Sequence, residues 1–151
     1  MKIILASKSG IRKKILKENK VDCIVVPSNV NEDQVKDSLL TEGANPMLIS
    51  KNLAELKSIK VSHKFPDQLV LGADSVVSLD NELINKPNTR EEALEILKKL
   101  NGSTHYLITS VCISKNGAMI WNFTDQSELE MKKHSDEQLT DYLKKIKTDV
   151  L

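Results

Sequence analysis

Aromatic side chains are scarce in this chain: two Phe, two Tyr and one Trp among 151 residues. Proteins that read single-stranded nucleic acid stack successive bases on aromatic platforms, so the scarcity argues against that class and leaves a core of mainly Leu, Ile and Val. Cysteine is sparse too. Cys23 and Cys112 lie far apart without a close Cys or His partner, which indicates neither a zinc site nor a disulfide framework, and both read as core thiols. Five glycines and four prolines make no linker-like tract, and there is no internal repeat, so a single domain over residues 1–151 is expected. No apolar run approaches the length of a bilayer span. The opening Met1-Lys2-Ile3-Ile4-Leu5-Ala6-Ser7-Lys8 turns polar too early for a signal peptide, and the expectation is a cytoplasmic protein with no membrane partner. Charge imbalance is also missing: 22 Lys plus Arg against 21 Asp plus Glu leaves +1. No net field holds a nucleic-acid polymer, and any nucleotide recognition must be local.

What is present suffices for a fold, with 40% hydrophobic and 28% charged residues. Lys2 to Ala6 reads as a strand, Ser7-Lys8-Ser9-Gly10 as a tight loop, and Ile11, Ile15 and Leu16 amid Arg12, Lys13, Lys14 and Lys17 as a basic helix. Val21 to Val26 is β-branched and predicts a second strand, and Pro27 to Asp37 reads as a polar loop carrying Glu32. Pro46 opens a helix to about Val61 that carries Lys57. Leu69 to Leu79 is an apolar strand interrupted at Gly72-Ala73-Asp74-Ser75, turning at Asp80-Asn81 into Glu82 to Ile84. Thr89-Arg90-Glu91-Glu92 caps a helix ending before Asn101-Gly102. Tyr106 to Ser114 and Ala118 to Lys132 form a long hairpin joined by Asn116-Gly117, and Ser135-Asp136-Glu137-Gln138 caps a last helix reaching about Lys147. The sum is an α/β protein with a mixed twisted sheet flanked by helices.

Two features could carry chemistry. The loop from Ala6 to Gly10 leads a strand into a helix whose first turns hold Arg12 and Lys13. A helix N-terminus offers unpaired N–H groups, and hydroxyls and a guanidinium add donors for phosphate oxygens. The plainer reading is that Ser9 caps the helix and the basic residues coat a solvated face. The Gly-x-x-x-x-Gly-Lys-Ser/Thr spacing of a Walker loop is absent. The second feature is Asp74: a carboxylate in a buried strand is costly unless paired or bound to a metal. Glu32 and Lys57 each have a plain reading as surface residues, with Lys57 at the edge of its helix's apolar stripe. If the fold gathers Asp74, Glu32 and a phosphate-binding loop, a hard divalent cation suits them. His63, His105 and His134 are isolated and receive no catalytic role, and Trp121 and Phe123 read as packing in the long hairpin.

These residues resemble the motifs of the Maf family. Leu5-Ala6-Ser7-Lys8-Ser9-Gly10 resembles its Leu-Ala-Ser-x-Ser-Pro, Val30-Asn31-Glu32 its hydrophobic-Asp-Glu, and Leu53-Ala54-Glu55-Leu56-Lys57 its Leu-Ala-x-x-Lys. Gly72-Ala73-Asp74-Ser75-Val76-Val77 resembles its Gly-Ala-Asp-Thr-Val-Val, Lys86-Pro87 its Lys-Pro, and Leu100-Asn101-Gly102-Ser103-Thr104-His105 its Leu-Ser-Gly-x-x-His. The resemblance implies an inosine-triphosphatase-like fold and a nucleoside triphosphate pyrophosphatase that cleaves a non-standard, modified or pyrimidine NTP to the monophosphate and pyrophosphate with Mg²⁺ or Mn²⁺. It implies that Ser7, Arg12, Lys13, Lys57 and Lys86 bind substrate phosphates, that Glu32 and Asp74 handle metal, and that Asp74 is the general base or a metal ligand. It also implies a link to septum formation and a homodimer. Asn29-Val30-Asn31-Glu32, the non-arginine residue Ile11 and Phe65-Pro66-Asp67-Gln68-Leu69 resemble the branch preferring 7-methyl-GTP, whereas Asp74-Ser75 resembles the Asp-Thr of the branch acting on dTTP and UTP. The chain stops at Leu151, before the glycine-rich segment and closing strands of the family, so a domain lacking its C-terminal part is expected. The enzymatic alternative is a house-cleaning phosphohydrolase with another base preference, and the non-enzymatic one a degenerate nucleotide-binding or regulatory protein of cell division.

Overall fold

The protein was analysed as a computed structural model, which describes residues 2–146. Its elements run β1 (Ile3–Leu5), α1 (Gly10–Glu18), β2 (Cys23–Val25), α2 (Glu32–Thr41), α3 (Pro46–Ser62), β3 (Val70–Leu79), β4 (Glu82–Ile84), α4 (Arg90–Leu100), β5 (Thr104–Lys115), β6 (Ala118–Glu130) and α5 (Asp136–Lys145). The strands form a six-stranded mixed sheet ordered β2-β1-β3-β5-β6, with β4 paired to β3. This is the mixed α/β architecture that the sequence predicts. The expected last helix is present as α5, and Lys147, given as its end, lies outside the described residues. The chain divides into two compact units, one of residues up to Ser75 with Ile108–Asp125, the other of Val76–Leu107 with the residues from Gln126 on.

In the first unit, β1 pairs in parallel with β2 on one side and with β3 on the other, Leu5 lying opposite Val25 and Leu71. Sequence neighbours β1 and β2 are adjacent, and the chain then crosses to the far side of β1 before entering β3. Strand order therefore reverses at β1, and crevices at the carboxyl ends of strands beside such a reversal are where open α/β sheets bind ligands. Ile4, Ala6, Val61 and Val70 form a buried cluster to which Val26 and Phe65 add. Helix α3 is capped by Asn45, whose side chain accepts from Leu48 N–H, and Pro46 occupies its first turn. It lies very close to β3. A Cβ placed on Gly72 would stand 2.7 Å from the backbone nitrogen of Ser58, and Ser58 shares a 2.7 Å hydroxyl hydrogen bond with Ser114 of β5. Gly72 thus marks the close approach of a helix, and β3 runs unbroken from Val70 to Leu79 as the strand that the sequence predicts. Gly72→Ala is expected to cost about 1–3 kcal/mol, read as a lower urea midpoint at unchanged slope; a midpoint equal to that of the unmodified chain would show that α3 can retreat freely.

One expected loop is partly a helix. The second half of the loop expected over Pro27 to Asp37 instead opens α2, which runs on to Thr41: the Asn31 side chain accepts from Gln34 N–H, and Glu32 and Asp33 sit in the first turn, where the helix dipole favours negative charge. No residue of α2 is fully buried, and its apolar stripe is reduced to half-buried Val35 and Leu39. The hairpin tip Asn116-Gly117 has positive φ at both residues, as a type I′ turn requires. Trp121 and Phe123 stack on each other at 6.3 Å between ring centroids but are 48% and 55% exposed on β6, so they pack together rather than into a core. Cys112 is buried, with its thiol pushed up to about 11 by burial, whereas Cys23 is only half-buried.

In the second unit, β3 and β4 close through Asp80 and Asn81, both at positive φ, with Val77 opposite Ile84. Thr89 caps α4 and a full capping box of Ser135 and Gln138 opens α5, as their sequences predict. Arg90 donates to the carbonyls of Leu143 and Ile146, tying α4 to the end of α5. Ala93, Leu139 and Leu143 are buried here. None of the described helices is long and apolar enough to cross a membrane.

Candidate active site

The loop after β1 and the middle of β3 meet at the carboxyl end of β1, since Ala6 N–H donates to Leu71 O and Asp74 lies three residues further along β3. Ser9 caps α1 by accepting from Arg12 N–H at 3.3 Å. Ser7, nearly buried, accepts from Ser9 N–H at 3.1 Å and from the Arg12 guanidinium at 3.2 Å. Ser9 thus orders the helix start, while Ser7 and Arg12 place a hydroxyl and a cation beside it. The second guanidinium nitrogen of Arg12 donates to Ser75 Oγ at 3.5 Å.

The other half of the site is an ion triad. Lys57, only 6% exposed, places Nζ 2.6 Å from Glu32 Oε1 and 3.0 Å from Asp74 Oδ1. Sequence reading sets this lysine at the edge of the α3 stripe; it is instead inside, among buried Leu53, Ala54 and Val61. Two carboxylates offset the cost of burying it. Asp74, 5% exposed, also has its carbonyl held by Ser50 Oγ at 3.1 Å. Its Oδ2 is buried and has no hydrogen-bond partner among the described residues. Burial pushes the Asp74 carboxyl above the ordinary carboxylate range, the adjacent Lys57 cation pulls it down, Glu32 raises it again and Lys36 lowers it.

Ser7 and Arg12 thus come together, as do Glu32, Lys57 and Asp74, and the two groups join through the consecutive residues Asp74 and Ser75. Lys13 is solvent-exposed on α1. Lys86 belongs to the second unit, exposed between β4 and α4. Sequence reasoning missed Lys36, one helical turn after Glu32; the Glu32-x-x-x-Lys36 spacing would have revealed it had α2 been recognised. It also passed over Thr109 and gave Ser75 no partner, although their hydroxyls lie 2.9 Å apart.

A family model described as Maf-like protein matches residues 2–150 of the chain. The chain belongs to the Maf family. Over 144 residues this Maf-family chain is 62% identical to the nucleoside triphosphate pyrophosphatase of Pelagibacter ubique strain HTCC1062, across 95% of its own length and 74% of that protein's. It is 33% identical over 132 residues to the 7-methyl-GTP pyrophosphatase of Brucella abortus biovar 1 strain 9-941, covering 87% of this chain and 66% of that one. Among solved structures it is similar to a HAM1 protein from Coxiella burnetii, with a TM-score of 0.54 at 16% identity over 86% of this chain and 72% of that chain. At that identity the likeness speaks for the fold alone, and it agrees with the inosine-triphosphatase-like fold implied by the sequence motifs of this Maf chain.

Proposed function

We propose that this chain is a nucleoside triphosphate pyrophosphatase that hydrolyses an NTP to the monophosphate and pyrophosphate. The observation that carries the reading is the Glu32–Lys57–Asp74 triad, its Lys57 and Asp74 buried and Glu32 half-exposed, with one carboxylate oxygen of Asp74 left unbonded, beside a serine-arginine loop at a helix N-terminus. Ser7, Arg12 and the first-turn N–H groups of α1 bind phosphate oxygens. Lys57 fixes Asp74 through Oδ1 and leaves Oδ2 to accept a proton from water. The water oxygen attacks the α-phosphorus, the bond from that phosphorus to the bridging oxygen breaks, and pyrophosphate departs with the electron pair. A carboxyl raised by burial suits a general base, because its proton affinity lies nearer the working pH. Lys13 and Lys86 enter as further cations for the triphosphate on the resemblance of the motifs that carry them.

The donor set also fits a divalent cation. No group of three or more His, Cys, Asp or Glu gathers among the described residues, so a closed cage is not on offer. Mg²⁺ and Mn²⁺ are instead suited to one or two carboxylates completed by substrate phosphates and water. Glu32 would hold the ion, with Asp74 Oδ2 joining it only in the alternative in which Asp74 is a ligand and not the base. Such an ion, when bound, neutralises phosphate charge and makes water more acidic. Non-standard, modified and pyrimidine nucleotides are the substrate class, and the Brucella relative named a 7-methyl-GTP pyrophosphatase supports including that compound. Incubating the chain with 7-methyl-GTP, dTTP, UTP, ITP and the common NTPs in Mg²⁺ or Mn²⁺ is expected to release pyrophosphate from at least one. If none does, while nucleotides still raise the melting temperature equally in the unmodified chain and in Asp74→Asn, the chain binds nucleotides without turning them over.

A further inference from the structure

Arg12 is anchored by a chain of hydroxyls that spans three separate elements. One terminal nitrogen of its guanidinium donates to Ser7 Oγ and the other to Ser75 Oγ, at 3.2 and 3.5 Å. Ser75 Oγ lies 2.9 Å from Thr109 Oγ1 on β5. Residues 12, 75 and 109 are remote in sequence, so nothing local brings these groups together. The neighbouring Ser110 hydroxyl is engaged separately by Thr124 at 2.9 Å, consistent with alternation of side chains along β5. Ser75 is exposed, and its hydroxyl would otherwise rotate among solvent partners. The hydrogen bond to Thr109 fixes it. Whichever of the two hydroxyls donates, Ser75 Oγ retains a lone pair for Arg12. An arginine side chain has many rotamers to lose, and holding its planar fork in advance reduces what must be ordered when an anion arrives.

We propose that Thr109 is a positioning residue which, through Ser75, holds the Arg12 guanidinium in place for the phosphate chain of the substrate. This rests on the reading of the Ser7–Arg12 loop as a phosphate site, given above. Thr109→Val keeps the branched shape and removes the hydroxyl, Thr109→Ser keeps the hydroxyl, and Ser75→Ala breaks the same link from its other end. Each is made with Arg12 present and with Arg12→Ala, and inorganic triphosphate is titrated to millimolar concentration by calorimetry beside NTP kinetics. With Arg12 present, Thr109→Val and Ser75→Ala are each expected to weaken triphosphate binding and raise KM about fivefold, the net worth of one ordinary hydrogen bond, leaving kcat within about twofold. Thr109→Ser is expected to match the unmodified chain, and Thr109→Val to add no further loss once Arg12 is alanine. Equal losses with and without Arg12, or no loss, or no triphosphate binding by the unmodified chain, overturn the proposal. Should the unmodified chain hydrolyse no NTP while triphosphate binding follows the expected pattern, the positioning role stands and the pyrophosphatase reading falls. Should it hydrolyse NTPs with Thr109→Val indifferent, the reverse holds.

Discussion

Asp74→Asn is expected to lower pyrophosphate release by about 10²–10⁴-fold, the range that a positioned general base contributes, while leaving the fold intact or firmer. Asparagine keeps the shape of the side chain and an oxygen that can accept from Lys57 Nζ, 3.0 Å from Oδ1 in the present arrangement. It does not accept a proton from water. The stability effect follows from the direction in which the carboxyl is displaced: burial, the leading cause, raises it above the ordinary 3.8 despite the attraction of Lys57. The folded chain therefore holds the Asp74 proton more tightly than the unfolded chain. The stability associated with that proton is fully present below the unfolded value and is lost as pH rises through the raised folded value. Asparagine does not titrate, so its melting temperature should gain on that of the unmodified chain as pH rises from about 4, with the difference flattening above the folded value. Melting curves in EDTA across this window, beside pyrophosphate assays in metal, check both halves. A rate within tenfold of normal sinks the general-base role, and an advantage that shrinks with rising pH contradicts the direction given for Asp74.

How much of this site was readable in the sequence depended on whether each residue sat in a local pattern. Helix α4 and helix α5 announce themselves by caps formed from neighbouring residues, Thr89 with Glu92 and Ser135 with Gln138. The turns at Asp80-Asn81 and Asn116-Gly117 do so because residues tolerant of positive φ must stand there. Helix α2 is silent in that language. It buries no residue fully and carries an Asn31 cap, two acidic first-turn residues and, of its apolar residues, only Val35 and Leu39 half-buried at helical spacing, too short a stripe to announce a helix. Glu32 was consequently placed on a loop, and Lys36 was overlooked. Lys57 shows the opposite failure. A lysine on a helix is presumed to face solvent, and only the arrival of Glu32 and Asp74 from elsewhere in the chain makes its burial tolerable. Asp74 was conspicuous because a carboxylate amid Val, Leu and Gly breaks a strong local expectation. Ser75 and Thr109 lack any such contrast, since isolated hydroxyls on strands are commonplace and their pairing is visible only once the strands are laid side by side.

Removing the lysine exposes the electrostatic design of the triad. Lys57→Met preserves most of the side chain's length and deletes its charge, leaving the Asp74 carboxylate buried without its cation. Glu32, whose side chain is 43% exposed, retains access to water, so the deficit falls chiefly on Asp74. Breaking a buried pair from one side costs about 3–5 kcal/mol, and a loss of that size is expected at pH 7.5 in urea unfolding with EDTA present. Without Lys57 the leading cause of the Asp74 displacement acts nearly unopposed, which moves the folded carboxyl further above its unfolded value. The deficit should therefore shrink as the pH is lowered through that value, because the protonated carboxyl needs no cation. Pairing the change with Asp74→Asn provides the decisive comparison. If uncompensated charge is the cause, the double variant is more stable than Lys57→Met alone and departs from additivity by about 0.5–3 kcal/mol. If the loss arises from packing around Leu53 and Val61 instead, the two changes add and the deficit is the same at pH 5 as at pH 7.5. Catalysis separates the same alternatives: Lys57→Met and the double variant should both be nearly inactive, so stability returns in the double variant without activity returning with it.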